Sequence, residues 1–181
     1  MKNLTSTTSY FSELLLETRI RNGKFFDKDK HPFYRLDNVG EYTFSKYHVV
    51  WREQNKNMIS CVISTVSDEF LGEKTVVTDS KLLSCALDSE EEAHYLCAIL
   101  NSLTISRLIE AYTINTQMGT DILKNIKIPN FDKEDFLHNE LAQLSIEAHN
   151  NYINKNSNLE IESRIDEIIP MIFSDEAVAT V

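Results

Sequence analysis

Asp79-Ser80-Lys81 follows a β-branched run, KTVVT, and Asp68, Glu69 and Glu73 lie just upstream. Carboxylates grouped before an acid-x-lysine triplet are how a metal-dependent nuclease holds a divalent cation near a phosphodiester. The triplet is short, and a polar turn at the end of a strand explains it more simply. His94 and Cys97 stand one helical turn apart and could share a metal, but no second ligand pair accompanies them. His138 and His149 could share a helix face, again without carboxylates at ligand spacing. Helix packing accounts for all four. The acidic triplet Glu90-Glu91-Glu92 reads as the first turn of a helix, where carboxylates complement the dipole.

Other chemistries find less support. Glycines stand alone at 23, 40, 72 and 119, so no phosphate-cradling loop can be built, and no GxSxG nucleophile elbow occurs. Cys61, Cys85 and Cys97 form no CxxC pair, and an odd count argues against a disulfide framework. They read as small buried hydrophobes.

The chain of 181 residues is 42% apolar and 25% charged, ordinary values for a soluble protein. No apolar run approaches the roughly 20 residues that span a bilayer. The N-terminal MKNLTSTTSYFSE lacks the basic start and apolar stretch of a signal peptide. A cytoplasmic protein without membrane contact is expected. The net charge of −10 is divided unevenly. Residues 1–60 hold ten Lys/Arg against seven Asp/Glu, whereas residues 61–181 hold eight against twenty-one. The basic side is the candidate surface for an anionic partner. Within it, FYRLDNVGEYTFSKYHVVWR, Phe33 to Arg52, concentrates Phe33, Tyr34, Tyr42, Phe44, Tyr47 and Trp51 with Arg35, Lys46, His48 and Arg52.

The elements that must position these residues follow from periodicity. Phe11, Leu14, Leu15 and Thr18 predict a helix over about Thr8–Asn22, with Gly23 as C-cap and an exposed loop over Asp27–Pro32. From Phe33 to Leu87 the pattern turns to short extended runs, including Tyr42/Phe44 and Tyr47/Val49/Trp51, separated by EQNKN and SDEFLGE. In the second run Val49 and Trp51 point inward, and His48 and Arg52 outward. Ser89 and Glu92 form a capping box that opens a central helix lined by Ala93, Leu96, Cys97 and Leu100, continuing to Tyr112. A polar loop over Thr113–Asp121 follows. Two last helices carry the stripes Leu137/Leu141/Leu144/Ala148 and Ile161/Ile165/Ile168, with Pro170 helping to end the second. The class is α+β: an N-terminal helix, a mixed or antiparallel sheet of about four to six strands, a central helix and a C-terminal helical pair. Residues 1–130 read as one α+β domain, 131–173 as the helical pair packing on it or on a partner, and 174–181 as a disordered tail.

Four blocks, FYRLDNVGEYTFSKYHVVWR, EEEAHYLCAILNS, LKNIKIPNFD and HNELAQLSIEAH, together resemble one known region. It is the C-terminal target-recognition (specificity) region of adenine-specific DNA methyltransferases, found in single-chain type II restriction–modification enzymes and related phage-exclusion methyltransferases. The resemblance runs from about Tyr10 to Asn150. It implies readout of double-stranded DNA, with the chemistry done by a methyltransferase domain or subunit. Such enzymes carry a cofactor-binding glycine motif and an Asn-Pro-Pro-Tyr-type catalytic motif upstream, and neither occurs here. The chain is therefore expected to be non-catalytic by itself and to need no cofactor: a fragment, a separate specificity subunit or a split-gene product. On this reading Lys24, Lys28, Lys30, Arg35, Lys46 and Arg52 would meet phosphates or bases, Tyr42 and Tyr47 would pack on sugars or bases, and Asn115, Thr116 and Gln117 would offer base readout. The alternatives are a protein-interaction or assembly domain of such a system, or a metal-dependent nuclease.

Overall fold

The computed structural model describes residues 40–55, 57–78, 81–112 and 126–178. The expected N-terminal helix, the loop over 27–32, the polar loop over 113–121 and Asp79-Ser80 lie outside the described residues. What is described is α+β, with two small antiparallel sheets and four helices.

The run YHVVWR, rich in aromatic and β-branched residues, forms β1 (Tyr47–Arg52). It is the middle strand of a three-stranded sheet, between β2 (Ser60–Ile63) and β5 (Leu82–Leu87), antiparallel to both. The register pairs Val49 with Val62 and Cys85, and Val50 with Cys61 and Ser84. Side chains at 47, 49 and 51 enter the main core, as alternation requires. Position 48 departs from the expected pattern. His48 is only 5% exposed and Val50 4%, so this middle strand is buried on both faces and its imidazole does not point into solvent.

Two other local expectations are corrected. Tyr42 and Phe44 do not alternate on a strand; Glu41–Phe44 is a 3-10 turn. Gly40 N–H donates to Thr43 Oγ1 at 3.1 Å, and Thr43 N–H returns to Gly40 O at 3.0 Å. These local bonds win over the β propensity of the aromatics. Likewise KTVVT contributes only Lys74 to a strand, while its neighbour SDEFLGE folds on itself. There β3 (Val66–Asp68) and β4 (Gly72–Lys74) make a hairpin in which Asp68 opposes Gly72. Asp68 Oδ1 accepts from Phe70 N–H at 2.9 Å and Leu71 N–H at 2.8 Å, and Gly72 supplies the left-handed φ of 69°.

Ser89 is the N-cap of α1 (Glu90–Asn101); its Oγ accepts from Glu92 N–H at 3.3 Å and donates to Glu91 at 2.7 Å. Ala93, Cys97, Ile99 and Leu100 are fully buried, because α1 packs against the sheet and against α3 (Phe136–Asn154). The helix does not continue unbroken to Tyr112. Ser102 takes an extended conformation and separates α1 from α2 (Leu103–Tyr112). Its hydroxyl donates to Ile99 O at 2.8 Å and accepts from Ile105 N–H at 3.3 Å, so one serine ends one helix and starts the next. Asp166 accepts from Leu103 N–H at 2.7 Å, satisfying a second first-turn donor of α2.

Asp135 caps α3, accepting from Leu137 N–H at 2.7 Å and His138 N–H at 3.1 Å. The last helix, α4 (Leu159–Val178), does not stop at Pro170. Proline inside a helix forfeits a hydrogen bond and crowds the preceding turn, at about 3 kcal/mol. Here Pro170 faces solvent while Ile168, Ile169 and Ile172 are buried around it, and a break would withdraw Ile172 from the core. Burying one such side chain is worth about 1.5–3 kcal/mol, so tertiary packing carries the helix through. Backbone over 174–178, the start of the expected tail, is accordingly helical. Leu141 and Ala142 of α3 and Ile161, Ile165 and Ile168 of α4 share one buried cluster with Val49 and Trp51 of β1. Among the described residues no helix is long and apolar enough to cross a membrane.

Candidate nucleic-acid interface

Strand alternation gives the three-stranded sheet two chemically different faces. One carries Tyr47, Val49, Trp51, Val62, Leu83, Cys85 and Leu87, all part of or packed against the main core. The other carries His48, Val50 and Arg52, flanked across the strands by Ile63 and Ala86, by Cys61 and Ser84, and by Leu82. Lys46 lies outside the strand, next to Tyr47. It is exposed just before β1, and Arg52 is exposed at the far end, so the two cations mark the limits of a span of about 20 Å. Neither ring nitrogen of His48 has a hydrogen-bond partner among the described residues.

Lys46 is pinned locally. Its Nζ sits 4.9 Å above the Tyr47 ring, and the Tyr47 hydroxyl, followed by the charges of Glu90 and Glu73, holds the ammonium above its ordinary pKa. Tyr47 is only 9% exposed and its hydroxyl reaches toward Glu90 at 3.5 Å. Its ring belongs to the core, by the same alternation that buries Val49 and Trp51. Tyr42, by contrast, is 55% exposed on the 3-10 turn. Lys24, Lys28, Lys30, Arg35, Asn115, Thr116 and Gln117 lie outside the described residues. The structure thus brings Tyr47 and Arg52 onto β1, on opposite faces, with Lys46 just before the strand and its ammonium over the Tyr47 ring.

The residues tested for metal chemistry have other occupations. His94 Nδ1 faces Ser145 Oγ at 3.0 Å, while Cys97 Sγ lies 3.5 Å from Ser60 Oγ and accepts from Asn101 Nδ2 at 3.4 Å. Burial lifts the Cys97 thiol to about 11 and, with the nearby His149, pushes His94 down to about 4. Asp68 holds its turn, and Glu73 accepts from Thr65 Oγ1 at 2.7 Å. No group of three His, Cys, Asp or Glu able to hold a metal ion occurs among the described residues. A cleft of about 700 Å³ between the starts of α1 and α3 is walled by Ser89, Glu91, Phe131, Asp132 and Lys133. Two carboxylates against one ammonium make it a poor seat for phosphate.

Sequence reasoning missed how the outer edge of β2 is closed. Asn101, inside the quoted block EEEAHYLCAILNS, accepts from Ser60 N–H at 2.8 Å and donates to Ser60 O at 2.9 Å. Two residues on, Val62 N–H donates to His149 Nε2 at 3.0 Å, and His149 Nδ1 donates to Ser145 O at 2.7 Å. The only signal for this in the sequence was a polar residue at the end of an otherwise apolar helix stripe. His138, which shared a face with His149 on paper, is bonded separately: Asp132 N–H donates to its Nδ1 at 3.0 Å, and its Nε2 lies 3.4 Å from Tyr95 Oη. No protein-family model and no curated protein matches this chain.

Proposed function

We propose that the chain is a recognition module for double-stranded DNA that works with a methyltransferase domain or subunit and performs no chemistry itself. The observation that supports this reading is the setting of β1: its odd positions build the core under α1, while exposed Lys46, just before the strand, and exposed Arg52, at its last position, flank it. Phosphate contacts of this kind fix a protein's register on a duplex and leave base readout to neighbouring loops. Fluorescence anisotropy on a labelled duplex at low salt tests it. K46E/R52E should weaken binding at least tenfold, and unchanged affinity would overturn this placement of the DNA face.

A second reading, an assembly domain, is favoured by one feature. The β3–β4 hairpin holds Phe70 87% and Leu71 67% exposed on a turn that Asp68 keeps fixed, among the carboxylates of Asp68, Glu69 and Glu73. An acidic, apolar tip suits a protein surface better than a phosphate backbone. Coexpression with a methyltransferase subunit and size-exclusion chromatography separates the two readings.

A further inference from the structure

Among the described residues β2 lies at the edge of its sheet, and edge strands offer unpaired backbone groups to any passing strand. Here two side chains from different helices close that edge. At Ser60 the closure is an amide, Asn101 of α1, which does not titrate. At Val62 it is an imidazole, His149 of α3. The ring's tautomer follows from its partners. Val62 N–H can only donate, so Nε2 presents a lone pair; Ser145 O can only accept, so Nδ1 carries the proton. Both nitrogens are committed in the neutral form.

We propose that His149 is an acid-labile seal on the edge of β2: a proton taken up on Nε2 occupies the lone pair that Val62 N–H uses, and the edge opens at Val62 while the Asn101 closure at Ser60 holds. The groups around the ring bear on this in both directions. From α1, His94 stands edge-on at 4.8 Å, and its Nδ1 meets Ser145 Oγ on the same turn of α3. Glu91, which favours charge on His94, and Cys97, a neutral thiol, lie on the same helix. From β2, Cys61 adjoins Val62; it is an exposed residue whose thiol is raised by partial desolvation. Among these groups the one carboxylate, Glu91, acts on His94 rather than on His149. Once open, the Val62 segment is a template for strand addition.

Amide hydrogen exchange of the whole chain tests this, with protection at Val62 expressed relative to Ser60 after correction for the intrinsic rate at each pH. From pH 7.5 to pH 5 the Val62:Ser60 ratio should fall at least tenfold. In His149→Gln, whose Oε1 accepts at every pH, it should stay within twofold. Long-range 15N spectra of the imidazoles at pH 7.5 should show His149 protonated at Nδ1. A constant ratio in the wild type overturns the proposal whether or not the ring charges, as does an Nε2–H tautomer at neutral pH. Equal loss at both amides, the mark of global unfolding, overturns it too. If His149→Gln does not fold, the two wild-type amides decide alone.

Discussion

Asn101 lies against Ser60 as a neighbouring strand would, its side-chain amide taking the N–H at 2.8 Å and giving to the C=O at 2.9 Å. Asn101→Ala leaves two backbone groups of β2 without their partner, which costs about 1–3 kcal/mol where water cannot fully replace it. A loss of about 2 kcal/mol in urea unfolding is expected. Asn101→Asp keeps the acceptor for Ser60 N–H but sets a carboxylate oxygen against Ser60 O. At pH 7 it should therefore be at least as damaging as alanine, and it should recover as the carboxyl protonates. Equal stability of all three proteins at pH 7 would show that the edge does not depend on this pairing.

His94 makes stability depend on pH. Burial, then His149, hold its folded-state pKa down to about 4 against an ordinary 6.5. The unfolded chain therefore binds a proton that the folded chain refuses between those values. The stability present above pH 6.5 falls as pH drops toward 4, by about 3 kcal/mol for a shift of this size. His94→Gln should flatten that part of the curve of unfolding free energy against pH. An unchanged slope would move the cause to another group.

Much of this fold was legible because burial is periodic. The stripes Ala93/Cys97/Leu100 and Ile161/Ile165/Ile168 are in the core, and Val49 and Trp51 face inward as alternation demands. What periodicity could not show is what covers a strand's second face, so His48 was expected in solvent. It also could not weigh a local bond against a propensity, as at Gly40 and Thr43, nor a helix-breaking proline against the isoleucines on either side of it. The candidate site was legible only along β1. The edge closures by Asn101 and His149 join residues 41 and 87 positions apart, a relationship that no local pattern encodes.

Lys155 ends α3 in the left-handed region, with φ of 59°. The backbone bond from Asn156 N–H to Asn151 O at 2.8 Å closes the helix there, so the conformation is imposed by the cap. A side chain bearing a Cβ is strained in this region by roughly 1–2 kcal/mol, part of which glycine gives back in unfolded-state entropy. Lys155→Gly should raise stability by about 0.5–1 kcal/mol, read as a higher urea midpoint at constant m-value. A lower midpoint would mean that the lysine side chain contributes contacts that outweigh the strain.

The proposed DNA face can be separated from mere net charge. A chain of net charge −10 should bind a duplex weakly and only at low salt, because affinity comes from neutralised phosphates. If Lys46 and Arg52 each neutralise one phosphate, K46E/R52E should lower the slope of log K against log salt by about 2. Lys133→Glu with Lys155→Glu changes the total charge equally, on exposed positions at the two ends of α3 rather than on β1. That pair should leave the slope within about 0.5 of the wild type, as expected for residues that meet no phosphate. Equal losses from both pairs would show that general repulsion governs binding and that Lys46 and Arg52 do not mark the surface that meets DNA.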